Sequence, residues 1–154
     1  MRTALLLTLS LTASIGAAAD RQAAPAAPCT TATATCTAWV VFGSGPARTM
    51  VYSSYPLTAR NDRIRRALVM VHGTNRNADH YFSTAVAAAF LAGALEDTIV
   101  IAPHVIIASD PKQADEVVWP GGGDSWRSGG TSPSHPELSS FDVVDELLRT
   151  LATR

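Results

Sequence analysis

Hydrophobic spacing changes abruptly in the middle of this chain. Residues 67–71 are apolar without interruption, a pattern typical of a strand buried on both faces of a parallel sheet. The run ends at His72 and Gly73, where a short polar segment begins. From Phe82 onward, apolar side chains return at helical spacing. The pattern therefore predicts a strand, a sharp polar turn and a helix in direct succession.

The polar segment contains two candidate helix caps and a candidate anion site. Asn77 and Asp79 stand where the helix should begin, and either side chain could cap its first free amides. A turn at the carboxyl end of a sheet presents backbone N–H groups beside the positive end of such a helix. Developing negative charge can be stabilised at this place.

Three further elements follow from the same kind of pattern. Aromatic and β-branched residues predict a strand over residues 37–42, and a weaker strand candidate covers residues 49–57. A second buried strand is predicted at residues 98–102, immediately before Pro103 and His104.

The last predicted element is an amphipathic helix over residues 140–152. Ser139 or Ser140 is its candidate cap, and Asp142 in the first turn suits the helix dipole. A single apolar stripe is predicted on this helix, with charged residues on the opposite face. Its members are Val144, Leu147, Leu148 and Leu151.

This order of segments resembles the α/β-hydrolase family, whose strand–His-Gly–helix unit is similar to residues 66–82 here. The resemblance implies the N-terminal part of a doubly wound, mostly parallel sheet in a three-layer α/β sandwich, with an antiparallel edge from the first two strands. In that family the turn after His-Gly supplies part of the oxyanion hole. The resemblance therefore implies this role for the backbone amides of Thr74 and Asn75. His72 and Gly73 are implied to shape the turn, the histidine by bonding to nearby backbone.

One central part of the family pattern is missing from the sequence. The nucleophile elbow, G-x-S-x-G on a strand-to-helix turn, occurs nowhere, and the chain is short for a complete hydrolase. The family places the strand of residues 67–71 between that of residues 98–102 and the nucleophile strand. Without the nucleophile strand, residues 67–71 are expected to form an unpaired edge with poorly covered faces.

Two functions from different classes are therefore expected. The first is the N-terminal fragment of an exported serine hydrolase of the esterase, lipase or acyl-hydrolase kind. Such a fragment carries the oxyanion turn but lacks the catalytic serine, acid and histidine, so it is expected to be inactive alone. If completed, it would act on a small-molecule acyl substrate, with no cofactor and no metal. The second is a non-catalytic exported binding module on the same scaffold.

A glycine-rich segment over residues 111–136 is the other region with candidate chemistry. So long a loop in a compact domain is usually functional or mobile. Trp119 and Trp126 either line a substrate pocket or anchor the loop to the core, and both interpretations stay open. Serines of this loop lie near Asp124 and His135, but no strained turn aims a serine, so a catalytic triad is not predicted.

Length and charge narrow the class of protein. The chain has 154 residues and a formal net charge of −1, which allows one domain with a real core. Nucleic-acid binding needs a basic face and is not expected. The arginines at positions 60, 63, 65 and 66 do cluster, and an exposed loop before a strand explains them.

The N-terminal region predicts export. Residues 1–19 have the basic start, apolar stretch and small final residues of a secretory signal peptide, with a retained anchor as the alternative. Residues 20–37, rich in Ala, Thr and Pro, are expected to form a flexible leader, followed by the partial hydrolase domain at residues 38–154. No membrane span is expected after signal cleavage, so the protein is expected to be secreted or periplasmic.

Cys29 and Cys36 are the only cysteines of the chain. In an oxidising compartment, a local disulfide between them is expected. A zinc site needs further ligands at close spacing, which the four histidines do not show. Lipid attachment is disfavoured because Pro28 stands where a small residue is required. The cysteines are therefore expected to staple a loop.

Overall fold

The computed structural model describes residues 27–122 and 125–153. The predicted signal peptide at residues 1–19 and the first part of the leader lie outside the described residues, as do Gly123 and Asp124. The described residues form a small α/β domain. Its strands and helices, in chain order, are β1 (Thr37–Val41), β2 (Arg48–Ser53), β3 (Arg66–Val69), α1 (Ala78–Leu91), β4 (Thr98–Pro103), β5 (Ile106–Ile107), β6 (Val118–Trp119) and α2 (Ser140–Ala152).

The main sheet has four strands in the order β1-β2-β4-β3. β1 pairs antiparallel with β2, β2 pairs antiparallel with β4, and β3 pairs parallel with β4. The sheet is therefore mixed, and the mostly parallel sheet implied by the family resemblance is not found in the described residues. The implied antiparallel edge is present as β1 and β2. Because β3 and β4 are parallel, the chain must cross over between them, and α1 forms this crossover.

The core lies on both faces of β4, and all six residues of this strand are buried. Ile99 and Ile101 pack in one cluster with residues of β1, β2 and α2. Val100 and Ala102 pack in a second cluster with the inward face of α1. Successive side chains of a strand point to opposite faces of the sheet. A strand that is buried on both faces must therefore be apolar at nearly every position.

β3 lies at the edge of the sheet, and the prediction that residues 67–71 are buried on both faces is wrong. The strand ends at Val69, and Ala67 and Val69 are exposed while Leu68 is half-buried. Within the described residues β3 pairs only with β4. The expected unpaired edge with poorly covered faces is therefore confirmed. An apolar run shows that a strand suits burial, but its neighbours decide whether it is buried.

Both helices begin where the sequence predicts. Asn77 is the N-cap residue of α1, although its side chain makes no capping hydrogen bond. At the start of α2, Asp142 Oδ2 accepts hydrogen bonds from the hydroxyl and the backbone N–H of Ser139, at 2.7 Å and 2.6 Å. These hydrogen bonds lower the pKa of Asp142 and satisfy a donor at the helix end.

The apolar stripe predicted for α2 is only partly buried. Leu147 is buried together with Val143, which the prediction left out. Val144 and Leu148 belong to the apolar stripe but are exposed. The face of α2 that packs against the sheet is therefore narrower than the apolar stripe of the helix. Which of those residues face the sheet depends on how the helix is rotated.

The predicted disulfide between Cys29 and Cys36 is confirmed, with Cα atoms 5.8 Å apart. Cys36 is buried in the core cluster on the α1 side of the sheet. The backbone N–H of Cys29 donates to the carbonyl oxygen of Ser54 at 2.7 Å. From residue 27 onward, the segment predicted as a flexible leader is thus held against the sheet by more than the disulfide.

Candidate functional site

His72 holds the segment between β3 and α1 in place. The backbone N–H of Val105 donates to His72 Nε2 at 2.9 Å, so this nitrogen carries the lone pair. The proton of the neutral ring is therefore on Nδ1, which donates to the carbonyl oxygen of Gly73 at 2.8 Å. Burial lowers the pKa of His72 from its ordinary value of 6.5 and favours this neutral form. The ring thus connects the turn to the segment after β4.

Arg76 holds the other end of the same turn. Its backbone N–H donates to the carbonyl oxygen of Gly73 at 3.1 Å. Its guanidinium donates to the carbonyl oxygen of Thr74 at 2.7 Å, and its Nε lies 2.6 Å from Asp110 Oδ2. The φ angle of Arg76 is 52°, a left-handed backbone that is unfavourable for a large side chain. The guanidinium contacts offset this cost.

Asp110 connects the turn to β5. Its Oδ2 also accepts a hydrogen bond from the backbone N–H of Ile107 at 2.9 Å. Burial raises the pKa of Asp110, but the hydrogen bonds from Ile107 and Arg76 outweigh burial and hold this pKa below its ordinary value. The carboxylate is therefore ionised and compensates the charge of Arg76.

Thr74 and Asn75 are exposed at the tip of this turn, just before α1. Neither backbone N–H donates a hydrogen bond to another residue in the part of the chain that the structure describes. Two free amides beside a helix N-terminus can bind the negative oxygen that develops during acyl transfer. The residues that the resemblance assigns to an oxyanion hole thus have unused donors.

The turn forms one wall of a cleft of about 290 Å³. His72, Gly73 and Thr74 line this wall, whereas Asn75 lies outside the lining. Residues of the segment after β4, of β6 and of the glycine-rich loop form the remaining walls. The structure therefore brings together two regions, the His-Gly turn and the glycine-rich loop, that the sequence showed only separately.

Both candidate pocket tryptophans line the cleft. Trp119, at the end of β6, is 1% exposed, and Trp126 is half-buried. Their rings meet edge to face with centroids 5.2 Å apart. Trp119 lies in the core and lines the cleft, so lining a pocket and anchoring the loop are not exclusive alternatives. Val105 and Ile107 add aliphatic surface, as is usual in small-molecule sites.

Serines of the glycine-rich loop bind the backbone of β6. Ser132 Oγ donates to the carbonyl oxygen of Val118 at 2.8 Å, and the Val118 N–H donates to Ser134 Oγ at 3.1 Å. Ser134 Oγ also lies 3.0 Å from His135 Nδ1, but neither residue lines the cleft. Ser125 does line it, yet no histidine among the described residues bonds to its hydroxyl. Asp124, which the sequence placed near these serines, lies outside the described residues.

Among the lining residues that were not recognised in the sequence are Arg76, Val105, Ile107 and Arg127. Arg76 resembles any polar residue of a turn, because its partner Asp110 is distant along the chain. The sequence offered a signal for Val105 and Ile107. They are two positions apart in a short apolar run after His104, so in a strand both would lie on the same face. No pattern marks Arg127, which is one basic residue in a polar loop.

No family model, no curated protein and no solved structure matches the chain.

In residues 27–122 and 125–153, no group of three or more His, Cys, Asp or Glu side chains could hold a metal ion. Within the same ranges, no helix combines the length and apolar character needed to cross a bilayer. The site consists of a fixed turn with two free amides beside an apolar cleft.

Proposed function

We propose that this chain is the N-terminal part of an exported serine hydrolase with an α/β-hydrolase scaffold. It contributes one part of the oxyanion hole, through the backbone amides of Thr74 and Asn75, and one side of the substrate cleft. The observation that carries the proposal is that these two amides are free in a turn held by His72 and Arg76. The substrate is a carboxylic ester or a related small acyl compound.

Acyl transfer places negative charge on the carbonyl oxygen of the substrate. Donors that are already oriented and unpaired stabilise this charge without reorganisation. His72 is not the general base, because its Nε2 already accepts the Val105 N–H. In this proposal the nucleophile, base and acid lie outside the described residues, which hold no serine–histidine pair at the cleft.

Strand order supports the same proposal. An antiparallel start at β1 and β2, followed by β4 and then β3, is the arrangement that the family resemblance implies. The open edge of β3 is where that family adds its nucleophile strand. A strand added parallel to β3 ends at the same edge of the sheet as the turn, and hence close to Thr74.

Export is part of the proposal. The signal-like residues 1–19 support it, and so does the Cys29–Cys36 disulfide, since such bonds persist mainly in oxidising compartments. The location that fits both observations is secreted or periplasmic.

A non-catalytic binding module is the second candidate. It is favoured by the cleft itself, whose apolar walls are formed in the described residues without an aimed serine. The two candidates differ in the coding sequence expected downstream. A buried strand followed by G-x-S-x-G, an acid and a histidine supports the hydrolase.

Labelling with a fluorophosphonate serine probe tests the proposal. The 154 residues are expected to show neither labelling nor turnover of p-nitrophenyl esters, because no described serine at the cleft bonds to a histidine. The chain extended by its downstream coding sequence is expected to be labelled at the serine of the elbow. Stoichiometric labelling of a serine within the 154 residues, abolished by its change to alanine, overturns the proposal. An extended protein that stays unlabelled favours the binding module.

A further inference from the structure

The cleft contains two arginines whose charges are compensated differently. Arg76 lies against Asp110 and the carbonyl oxygen of Thr74, so its charge is balanced within the protein. Arg127 belongs to a short 3-10 helix, Trp126–Ser128, and its side chain is exposed. It forms no ion pair or hydrogen bond with any other residue that the structure describes. Among the described residues that line the cleft, Arg127 is therefore the cation without a protein partner.

No negative charge in the described lining of the cleft compensates Arg127. No carboxylate is among the described residues that line the cleft. Tryptophan and aliphatic side chains form much of the wall. The whole chain has a net charge of −1, so the positive character is a local property of the cleft.

The apolar part of the cleft suits a compact ring. Its volume of about 290 Å³ lies at the lower end of small-molecule sites, which span about 300–1,000 Å³. Trp126 already meets Trp119 edge to face, and an aromatic ligand can pack on it in the same way. Val105 and Ile107 supply aliphatic surface for the remainder of the ring.

We infer that the cleft binds compact aromatic acids, with the ring against Trp126 and the carboxylate paired with Arg127. The inference rests on the proposed function in one respect, namely that the cleft is the substrate site of a hydrolase. In that enzyme the substrate is an ester or amide whose aromatic part also carries a free carboxylate. Arg127 then determines specificity, and the reacting carbonyl group lies at the free amides of Thr74 and Asn75.

Three ligands with the same ring test this charge preference. Benzoate is negative, benzamide is neutral and benzylamine is positive. Binding is followed in dilute protein by tryptophan fluorescence of a Trp39→Phe chain, whose signal comes from the two cleft tryptophans alone. Benzoate is expected to bind about tenfold more tightly than benzamide, as one partly hydrated charge-assisted hydrogen bond provides. Benzylamine is expected to bind more weakly than benzamide.

Two arginine variants assign the preference to one residue. Arg127→Gln is expected to reduce benzoate affinity to that of benzamide and to leave benzamide binding unchanged. Arg149→Gln is the matched control, because Arg149 lies on α2, pairs with Glu146 and does not line the cleft. This control removes the same charge and is expected to change neither affinity. Arg127→Lys keeps the charge and is expected to retain most of the preference.

Equal affinities for benzoate and benzamide in the parent chain overturn the inference. A preference that survives Arg127→Gln also overturns it, since the carboxylate then lies on the free amides of Thr74 and Asn75. The result is distinguishable from a failure of the proposed function, because ligand binding requires no nucleophile. A chain that prefers benzoate but never yields a labelled serine refutes only the hydrolase. An active extended enzyme that shows no preference for acids refutes only the inference.

Discussion

β3 and β4 are neighbouring parallel strands with similarly apolar sequences and opposite environments. Val69 and Ile101 are partners in the register, yet Ile101 is fully buried and Val69 is 36% exposed. β4 has a strand on each side and a core cluster on each face. β3 has a single neighbour in the described residues and leads directly into the turn with the free amides.

The difference separates stability from function in this domain. β4 joins the two core clusters, so its side chains contribute apolar burial on both faces of the sheet. β3 contributes less apolar burial, but it places Gly73 and Thr74 at the cleft. The His72–Val105 hydrogen bond joins the ends of the two strands, so the well-packed strand holds the poorly packed one in position.

The largest effect is expected where β3 passes into the turn. Thr74→Pro removes the amide hydrogen, while Thr74→Ser keeps it. In an extended, active form of the protein, Thr74→Pro is expected to lower kcat by about 10²–10³, the usual result of losing one oxyanion donor. Thr74→Ser is expected to stay near the parent value. Steady-state hydrolysis of p-nitrophenyl esters provides the measurement.

Proline can also disturb the turn, so the fold of both variants needs a control. Far-UV circular dichroism and the urea midpoint should match those of the parent protein. If the two variants hydrolyse the ester equally well, the Thr74 amide is not an oxyanion donor.

The next largest effect is expected for stability, when valine is changed to alanine in β4 and in β3. Val100→Ala in β4 is expected to lower the free energy of unfolding by about 2–3 kcal/mol, from lost burial plus a cavity. Val69→Ala in β3 is expected to change it by less than about 1 kcal/mol, since the side chain is partly in water already. Urea denaturation of the two variants measures both values. Similar losses in the two strands contradict the contrast between them.

Self-association should depend on β3 and not on β4. An open strand edge with exposed apolar residues recruits further chains, so the isolated chain is expected to aggregate or to remain loosely packed. Val69→Lys places a charge at this edge and is expected to raise the concentration needed for self-association by about tenfold. Analytical ultracentrifugation follows the change. A parent chain that is a monomer with a sharp cooperative melt rules this expectation out.

The smallest expected effect is a pH dependence of stability, which arises because His72 connects the ends of β3 and β4. Folding lowers the pKa of His72 from 6.5, so the unfolded chain takes up this proton first as pH falls. The stability due to neutral His72 is therefore complete above pH 6.5 and is lost as pH falls through the folded value. The effect is small because the ring is only half-buried.

His72→Phe isolates this contribution. The parent protein is expected to lose stability relative to the variant between about pH 7 and pH 5, within the range where histidine titrates. The lowered pKa values of Asp110 and Asp142 act only below their ordinary value of 3.8, outside this window. Urea midpoints measured over this pH range give the difference in stability. If the midpoints of the two proteins change in parallel with pH, folding does not lower the pKa of His72.

Much of the element order could be predicted, because it depends on local patterns. The strands at residues 37–42 and 98–102 and the starts of both helices agree with the structure within a residue or two. Capping by Ser139 and Asp142 depends on residues three positions apart, so it is visible in the sequence. The Cys29–Cys36 bond was predictable for a similar reason, since no other cysteine competes.

Burial was predicted less well, because it depends on what lies across from each residue. The apolar spacing of α2 places Val144 in its stripe, but Val143 is the residue buried in the core. Residues 67–71 read as a strand buried on both faces, yet Ala67 and Val69 are exposed and β3 has one neighbour among the described strands. Hydrophobicity is a property of the side chain itself, whereas its burial depends on the residues that pack around it.

For the site, the sequence identified the His-Gly turn and the two tryptophans from residue type and spacing. That these residues share one cleft was decided by the tertiary structure. The chain returns through β4 and brings the Val105 N–H to His72, and the Arg76–Asp110 pair forms across the same return. Such contacts join segments far apart in the chain. No local periodicity encodes them, because they exist only once the strands are paired and the loops between them are placed.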